Sequence, residues 1–367
     1  MSSSLAAPPS SAAASRRRLL RGALLVLGVA VVGLAWAKWL PYSAKAADLA
    51  GSRSWTGSAL TRVAADASTW WQGAWAFTVA YAAAVWKAVL VGLVLAAAVS
   101  TLLPRAWLAG VLARRGPWRG SVLAGVASLP SMMCSCCTAP LAVSLRRSGV
   151  PVGPAVAYWL GNPVLNPAVL VFLALVGPWQ WAAVRVVVGV VLVLGAGAAV
   201  ARLTTRGGDP GVPSAVDATL VGMAGSGPAG EPGFVRGAAS FGRELLRLSA
   251  TLLPEYAVLV FALGAAAHVV DWQAGWLTTG LVGLLALVVV ATLMVIPTGG
   301  EIPVALALAA LGASPWAVGV VLVALPALSL VSMVMVARAL TWRITAATAG
   351  AVAVASVLAG GLLAGTS

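Results

Sequence analysis

Three residues of this chain that could do chemistry are cysteines, and all lie within four positions, at Cys134, Cys136 and Cys137. Thiolates are soft ligands that favour Cu(I), Zn(II) and similarly thiophilic species, and three sulfurs from one turn could surround a trigonal centre. Residues this close in sequence rarely satisfy disulfide geometry. The pattern predicts a thiol site for a substrate or a metal. The alternative is that these small, apolar residues only pack inside a buried helix.

Glu301 is an ionisable residue within an apolar segment, which is costly in a membrane and indicates a functional site. Its neighbours Gly299 and Gly300 permit close backbone approach, with free amides that could hold an anion or orient a substrate. Protonation of Glu301 could couple proton entry to substrate exit. The alternatives are a carboxylate that caps the following helix, or one that pairs with Lys87 or Arg185.

Two asparagine–proline pairs interrupt the apolar segment that follows the cysteines. Asn162 precedes Pro163, and Asn166 precedes Pro167. Because proline removes helix hydrogen bonds, carbonyl groups and two amide side chains are left without regular partners in the membrane, and such breaks commonly line a polar pathway. The alternative is a structural kink in which neither asparagine contacts a ligand.

These breaks belong to an internal repeat. The polar and helix-breaking residues of one segment recur 163 positions later. The corresponding pairs are Pro140 and Pro303, Gly149 and Gly312, Pro163 and Pro326, and Asn166 and Ser329. The cysteine run at 134–138 falls opposite 297–301, so two interrupted hydrophobic segments occupy equivalent places. This pattern is typical of a transporter built from repeats, with its site where the helices break.

The composition defines the class of protein that carries these residues. Hydrophobic residues make up 61% of the 367 positions and charged residues 9%, and the mean hydropathy is +0.99. These values exclude a soluble globular domain and predict an all-α polytopic membrane protein with about 7–10 membrane helices. The net charge of +14 does not indicate a nucleic-acid partner, because the basic residues lie between apolar runs, as topology signals at the lipid bilayer do.

The apolar runs and the segments between them give the predicted organisation. The basic-flanked first run is predicted to be a retained signal-anchor helix with Lys38 on the outer side, and a cleaved signal peptide is the alternative. A Gly-, Pro- and Ser-rich stretch is expected to link two membrane halves. The predicted units are a disordered cytoplasmic N-terminus at 1–18, a signal-anchor helix at 19–39, membrane repeat 1 at 72–202, a flexible cytoplasmic linker at 203–244 and membrane repeat 2 at 245–365.

The basic residues also set the predicted orientation. Excess Lys and Arg mark cytoplasmic loops, so the N-terminus is placed in the cytoplasm and the chain in the plasma membrane as a multi-pass protein. A re-entrant hairpin at 121–145 keeps Arg146 and Arg147 cytoplasmic, and a second hairpin is predicted at 276–313, although its first part is long enough to cross fully. Each half then has an odd number of crossings, so the two repeats are inverted relative to each other.

Four motifs of the chain occur together in one known family. They are Cys134-Ser135-Cys136 leading to Pro140, Leu145-Arg146-Arg147-x-Gly149, the asparagine–proline pairs, and Gly300-Glu301-Ile302-Pro303. Together they resemble the predicted permeases of the ArsP/YraQ type, over roughly residues 72–365. The resemblance implies a bacterial or archaeal membrane permease, since some members are linked to efflux of trivalent organoarsenicals and others are proposed to export copper or zinc. It also implies a thiol site at Cys134 and Cys136, with Cys137 as an addition and Gly299 where the family frequently has a cysteine.

These features predict a secondary transporter, not an enzyme, that exports a soft metal or metalloid species through a thiol-lined site, with proton coupling as a hypothesis. No cofactor is expected, and no Walker-type phosphate loop is present. One alternative is an intramembrane thiol oxidoreductase that uses Cys134 with Cys136 or Cys137; another is a transporter or channel for an unrelated small solute. The predicted substrate-binding residues are Cys134, Cys136, Cys137, Asn162, Asn166, Gly299, Gly300 and Glu301, and the three cysteines are the predicted metal ligands.

Overall fold

The structure, a computed structural model, is α-helical. It describes residues 9–55, 67–113, 116–207, 234–269 and 280–366, and within those ranges it contains no β-strand. The helices before residue 208 are α1 (Pro9–Leu34), α2 (Leu40–Ser52), α3 (Trp70–Leu102), α4 (Arg105–Ala113), α5 (Gly116–Ser128), α6 (Ser135–Arg147), α7 (Val152–Val164), α8 (Pro167–Val176) and α9 (Trp179–Gly207). The helices after residue 233 are α10 (Phe234–Val269), α11 (Gly280–Leu293), α12 (Glu301–Ala310), α13 (Pro315–Ala327), α14 (Leu330–Leu340) and α15 (Trp342–Thr366).

The predicted repeat is visible in the helix boundaries. α7 and α13 begin and end 163 positions apart, and the starts of α8 and α14, and of α9 and α15, have the same offset. Asn166 and Ser329 each cap the helix that follows, because their side chains accept hydrogen bonds from its backbone N–H groups. Gly149 and Gly312 turn the chain into the next helix with positive φ values of 85° and 77°. Capping residues and glycines therefore set the same breaks in both halves.

Within the described residues, six apolar helices or helix pairs are long enough to cross a membrane. They are α1 with α2 (Leu19–Ser52), α3, α7 with α8 (Val152–Val176), α9, most of α10 (Ala238–His268), and α15. α13 and α14 meet at an angle of 49° and form a broken span or a re-entrant loop. Large apolar side chains such as Leu24, Val187 and Val282 are exposed, which suits a surface that faces lipid. The prediction of an all-α polytopic membrane protein is confirmed.

Each predicted hairpin segment is broken by a non-helical stretch. In the first, α5 and α6 have 13 residues each and flank a 3-10 turn at Leu129–Ser131 followed by the non-helical residues 132–134. In the second, α11 and α12 flank the non-helical residues 294–300. Thirteen helical residues rise about 20 Å, less than the roughly 30 Å of a bilayer's apolar core, so neither α5 nor α6 can cross alone. A re-entrant path at 121–145 is compatible with these lengths.

The N-terminal apolar helix is longer than the predicted 19–39. α1 and α2 are joined by a π-helical turn at Ala35–Trp39, and the helix continues to Ser52. A π turn contains one more residue than a regular helical turn. This lets the helix continue through Pro41, which has no N–H to donate to the preceding turn. Lys38 therefore lies within the helix with only 5% of its surface exposed, and its place on the outer side stays a prediction.

The ends of the predicted linker are helical. α9 continues to Gly207 and α10 begins at Phe234, whereas the prediction places the linker at 203–244. Its glycines and prolines are concentrated between positions 207 and 233, so the flanking residues can extend the two helices. Residues 208–233 lie outside the described part of the chain, as do residues 1–8 of the predicted N-terminal segment and residues 270–279 around the start of the second hairpin.

The two halves pack through equivalent helices. α3 lies against α10, α7 against α13 and α9 against α15, so corresponding elements of the two repeats lie side by side. α6, which carries the cysteines, packs against α3 and α7 of its own half and against α14 of the other. A Cβ added at Gly92 of α3 would lie 2.7 Å from the Cys137 carbonyl oxygen, so this glycine permits a close approach. The thiol-bearing turn thus lies at the boundary between the halves.

Candidate functional site

The three thiols converge at the N-terminus of α6. Met132 has a positive φ of 48°, and the extended Cys134 is the N-cap residue, with Cys136 and Cys137 in the first helical turn. The Cys134 sulfur lies 3.1 Å from the Cys136 sulfur and 2.6 Å from the Cys137 sulfur. All three cysteines are free and buried, and their sulfurs lie within 4.8 Å of one another. Among the described residues, this is the group of side chains that could hold a metal ion.

α7 holds the backbone break in front of the cysteines. Asn162 Oδ1 accepts a hydrogen bond of 2.7 Å from the Met133 N–H, and its Nδ2 donates to the Ser131 hydroxyl. Trp159 Nε1 donates to the Ser135 carbonyl at 3.2 Å. Asn162 supplies hydrogen-bond partners that a continuous helix would otherwise provide. It thereby fixes the backbone that carries the three thiols.

Two tyrosines from opposite halves border the thiols. The Tyr81 hydroxyl, on α3, lies 3.1 Å from the Cys136 sulfur, and the Tyr256 hydroxyl, on α10, lies 3.6 Å from the same atom. The two rings are 6.0 Å apart. The Ser135 hydroxyl also lies 3.5 Å from the Ser329 hydroxyl of the second half. Movement of one half against the other would therefore change the surroundings of the thiols.

Lys38 approaches the same region from the N-terminal helix. Its Nζ donates to the Tyr42 hydroxyl at 2.8 Å and to the Thr298 hydroxyl at 3.3 Å. The neighbouring Trp39 Nε1 donates to the Pro130 carbonyl at 2.8 Å, so the same helix contacts the break before the cysteines. Thr298 belongs to the non-helical stretch before α12, so Lys38 connects the N-terminal helix to the break of the second half.

A buried ion pair joins the two halves. Nη1 of Arg185, on α9, lies 2.7 Å from Oε1 of Glu301, at the start of α12, and the two side chains are 0% and 2% exposed. Of the two basic partners considered for Glu301, Arg185 is the one observed, whereas Lys87 lies over the rings of Trp36 and Trp86. The carboxylate uses one oxygen for Arg185, and its buried Oε2 has no hydrogen-bond partner among the described residues.

Arg185 also supplies the donors that the break between α7 and α8 lacks. Its Nε donates to the Val164 carbonyl and its Nη2 to the Pro163 carbonyl, both at 3.0 Å. The Pro163 carbonyl has no helical partner because Pro167 has no N–H. The Val164 carbonyl has none because the N–H four residues later donates to the Asn166 side chain instead. One guanidinium group therefore satisfies the break of the first half and pairs with the carboxylate of the second.

Asn166 and the two glycines have local roles at these breaks. Asn166 Oδ1 caps α8, whereas its buried Nδ2 has no hydrogen-bond partner in the described structure. Gly299 has a positive φ of 86°, which favours glycine over a cysteine at this position. The Gly300 N–H donates to the Pro297 carbonyl at 2.9 Å. The prediction of a free amide at Gly300 is wrong, because the turn before α12 uses that N–H.

The predicted site residues thus form two groups. The first group, at the first break, contains Cys134, Cys136, Cys137 and Asn162. The second group, at the second break, contains Gly299, Gly300 and Glu301. This second break lies near the C-terminal end of α7, which Asn166 follows. Within the described ranges, no hydrogen bond or ion pair joins Glu301 directly to the thiols.

Sequence reasoning missed three residues, namely Tyr81 and Tyr256 beside the thiols and Lys38 beside the second break. Lys38 carried a usable signal, since it is an ionisable residue in the middle of an apolar helix. The tyrosines carried none, because a tyrosine in a membrane helix is common and only the packing of α3 and α10 brings both to Cys136.

The spacing of the sulfurs suits a thiophilic centre. With metal–sulfur bonds of about 2.3 Å, a trigonal centre places its sulfurs about 4.0 Å apart. The Cys134 sulfur lies 3.1 and 2.6 Å from the other two, so a trigonal centre would require these sulfurs to separate by roughly 1 Å.

The fold and this site define a polytopic membrane transporter with paired helix breaks. The family described as "Predicted permease" (ArsP_1) matches residues 70–365, and the chain belongs to this family. It is also similar to the UPF0718 protein YraQ of Escherichia coli (strain K12), with 37% identity over 337 residues that cover 91% of this chain and 92% of that protein. No solved structure matches the chain significantly. The resemblance to permeases of the ArsP/YraQ type is confirmed.

Proposed function

We propose that this permease exports a soft metal or metalloid species, which it binds through the thiols of Cys134, Cys136 and Cys137. The observation that carries the proposal is the burial of three free sulfurs within 4.8 Å of one another at a backbone break. Soft thiolates select thiophilic species over hard cations. The candidate cargoes are trivalent organoarsenicals, copper and zinc.

The proposed transport path runs between the two halves in the plasma membrane, with the N-terminus in the cytoplasm. α6 packs against α14 of the other half, and Tyr81 and Tyr256 reach the same sulfur from α3 and α10. If the repeats are inverted, rocking one against the other would expose the thiols to each side in turn. The thiols would then bind cargo from one side and release it to the other.

Glu301 is the proposed proton-coupling residue. Its Oε1 pairs with Arg185, and its Oε2 is buried without a hydrogen-bond partner in the described structure. A proton on this carboxyl group would weaken the ion pair that ties the breaks of the two halves together. Proton entry could thereby promote the change between the two transport states.

Growth of a metal-sensitive bacterial host tests the proposal. Cells expressing the wild type, Cys134→Ser/Cys136→Ser or the control Ser135→Ala are challenged with methylarsenite, copper, zinc and arsenite. For at least one cargo, the wild type and the control are expected to raise the concentration that the cells tolerate and to lower the cellular content of that cargo. The double variant is expected to change neither. Equal growth in all arms, with equal protein in the membrane, would contradict thiol-dependent efflux and favour an unrelated solute handled near Asn162, Asn166 and Glu301.

A thiol oxidoreductase is the second candidate, supported by the Cys134-x-x-Cys137 spacing at a helix N-terminus and the 2.6 Å between the two sulfurs. The two functions differ in what happens to the thiols. A transporter keeps all three thiols reduced while it works, whereas an oxidoreductase converts two of them to a disulfide in each cycle. Trapping the free thiols with an alkylating reagent in working cells therefore distinguishes the candidates.

A further inference from the structure

Three arginines line an open pocket of about 310 Å³ at the boundary between the two halves. Arg147 ends α6 of the first half, whereas Arg243 and Arg247 lie on successive turns of α10 in the second half. One carboxylate, that of Glu244, lines the same pocket. Three positive charges and one negative charge leave the pocket with a net charge of +2.

Glu244 does not occupy the hydrogen-bond donors of these arginines. Its carboxylate oxygens lie 4.0 Å from Nη1 of Arg147 and 3.9 Å from Nη1 of Arg247, which is too far for a hydrogen bond. Arg243 has no carboxylate partner among the described residues. Ser148 lines the pocket although it is only 2% exposed, and its hydroxyl group donates to no described residue. The pocket thus presents donors that the described part of the chain leaves unused.

These donors and this charge suit a phosphate group. Guanidinium groups bind phosphate oxygens through paired hydrogen bonds and stay charged at physiological pH. A phosphodiester carries one negative charge and a phosphate monoester up to about two, so either can be neutralised by the pocket. The volume lies at the lower end of the roughly 300–1,000 Å³ that is typical of small-molecule sites, which leaves room for a phosphorylated headgroup.

An apolar crevice beside the pocket favours a lipid as the carrier of this phosphate. The crevice shares Arg147 and Arg247 with the pocket and continues past apolar side chains that include Leu248. The part of α10 that is long enough to cross the membrane begins at Ala238, so the arginines lie near the membrane surface. Leu246, beside Arg247, is 72% exposed, as expected next to acyl chains. Basic residues at such a surface attract anionic lipids.

We propose that this pocket binds the phosphate group of an anionic phospholipid. Arg147 holds the phosphate from the first half, Arg243 and Arg247 hold it from the second, and the apolar crevice takes the start of an acyl chain. The bound lipid thereby joins α6 to α10 at the membrane surface. This lipid site is independent of the thiols and of the cargo that they bind, so its failure would leave the proposed function untouched.

Binding to the purified full-length protein in detergent tests the site. Short-chain phosphatidylglycerol, phosphatidylcholine with the same chains, and inorganic phosphate are each titrated by calorimetry. Arg147→Gln/Arg243→Gln brings the pocket to neutrality and is expected to weaken phosphatidylglycerol binding roughly 30-fold, because two basic contacts to an anionic lipid are lost. Glu244→Gln removes the one negative charge and is expected to bind phosphatidylglycerol at least as tightly as the wild type. The matched control Arg119→Gln/Arg343→Gln, which removes two exposed arginines outside the pocket, is expected to bind as the wild type.

The three probes distinguish a lipid from a free phosphate. A preference for phosphatidylglycerol that is lost in the arginine variant and kept in the control supports the lipid site. If inorganic phosphate bound the wild type as tightly as phosphatidylglycerol does, the arginines would form a site for a free anion and the lipid would be the wrong occupant. Equal affinity of the wild type for the two lipids would overturn the site itself. So would equal binding by the arginine variant and the control, or weaker binding by Glu244→Gln.

Discussion

Replacing Arg185 with leucine is expected to lower the free energy of unfolding by about 3–5 kcal/mol, because Glu301 would remain as an unpaired buried charge. The pair lies at 2.7 Å with both side chains almost completely buried, so water cannot replace the lost partner. The variant also loses donors to the Pro163 and Val164 carbonyls, which adds about 1 kcal/mol for each. Unfolding in increasing dodecyl sulfate, followed by tryptophan fluorescence, measures the change.

A double-mutant cycle isolates the charge effect. Glu301→Leu alone leaves Arg185 unpaired and is expected to be destabilising as well, whereas Arg185→Leu/Glu301→Leu removes both charges and recovers most of the loss. The free energy of unfolding that the double variant still lacks is attributed to the Pro163 and Val164 carbonyls, which no longer have a donor. Single variants as stable as the wild type, or a double variant less stable than both, would contradict the role assigned to the pair.

Replacing Cys134 with serine is expected to weaken binding of the soft cargo by more than about 100-fold, since even outer partners of a metal site are worth roughly 10- to 100-fold. Its sulfur is the common neighbour of the other two, at 3.1 and 2.6 Å. A serine hydroxyl is a hard, weak ligand for thiophilic ions. Competition titration of the purified protein with the cargo identified by growth measures the affinity.

Ser135→Ala provides the matched control for Cys134→Ser. Ser135 lies in the same turn, and its side chain faces Ser329 at 3.5 Å. Its replacement is expected to leave the affinity close to that of the wild type. Comparable affinity in both variants would mean that the sulfurs pack in the turn and do not bind cargo.

The breaks and the repeat could be predicted from sequence because their causes are local. Pro163 and Pro326 interrupt apolar segments at a fixed offset, and Gly149 and Gly312 occupy the positive-φ positions that glycine favours. Such features need only the chain nearby to form. The convergence of the three thiols also depends on Asn162 of α7, which accepts a hydrogen bond from the Met133 N–H just before the extended Cys134.

The partners around the breaks could not be predicted, because they depend on how distant helices pack. Arg185 was one of two basic residues considered as a partner for Glu301, and only the packing of α9 between the halves selects it. The burial of Lys38 was not predicted, because a basic residue near the end of an apolar run usually marks a topology boundary. The π turn at Ala35–Trp39 instead extends the helix and buries the side chain.

Transport by the purified protein tests the central claim most directly. Proteoliposomes containing the wild type or Cys134→Ser/Cys136→Ser are loaded in parallel, and movement of zinc, Cu(I) and methylarsenite across the membrane is followed over time. The account predicts cargo movement above that of protein-free liposomes with the wild type, and none with the double variant. Equal movement in the two preparations, for every cargo that the wild type transports, would contradict a thiol-dependent permease.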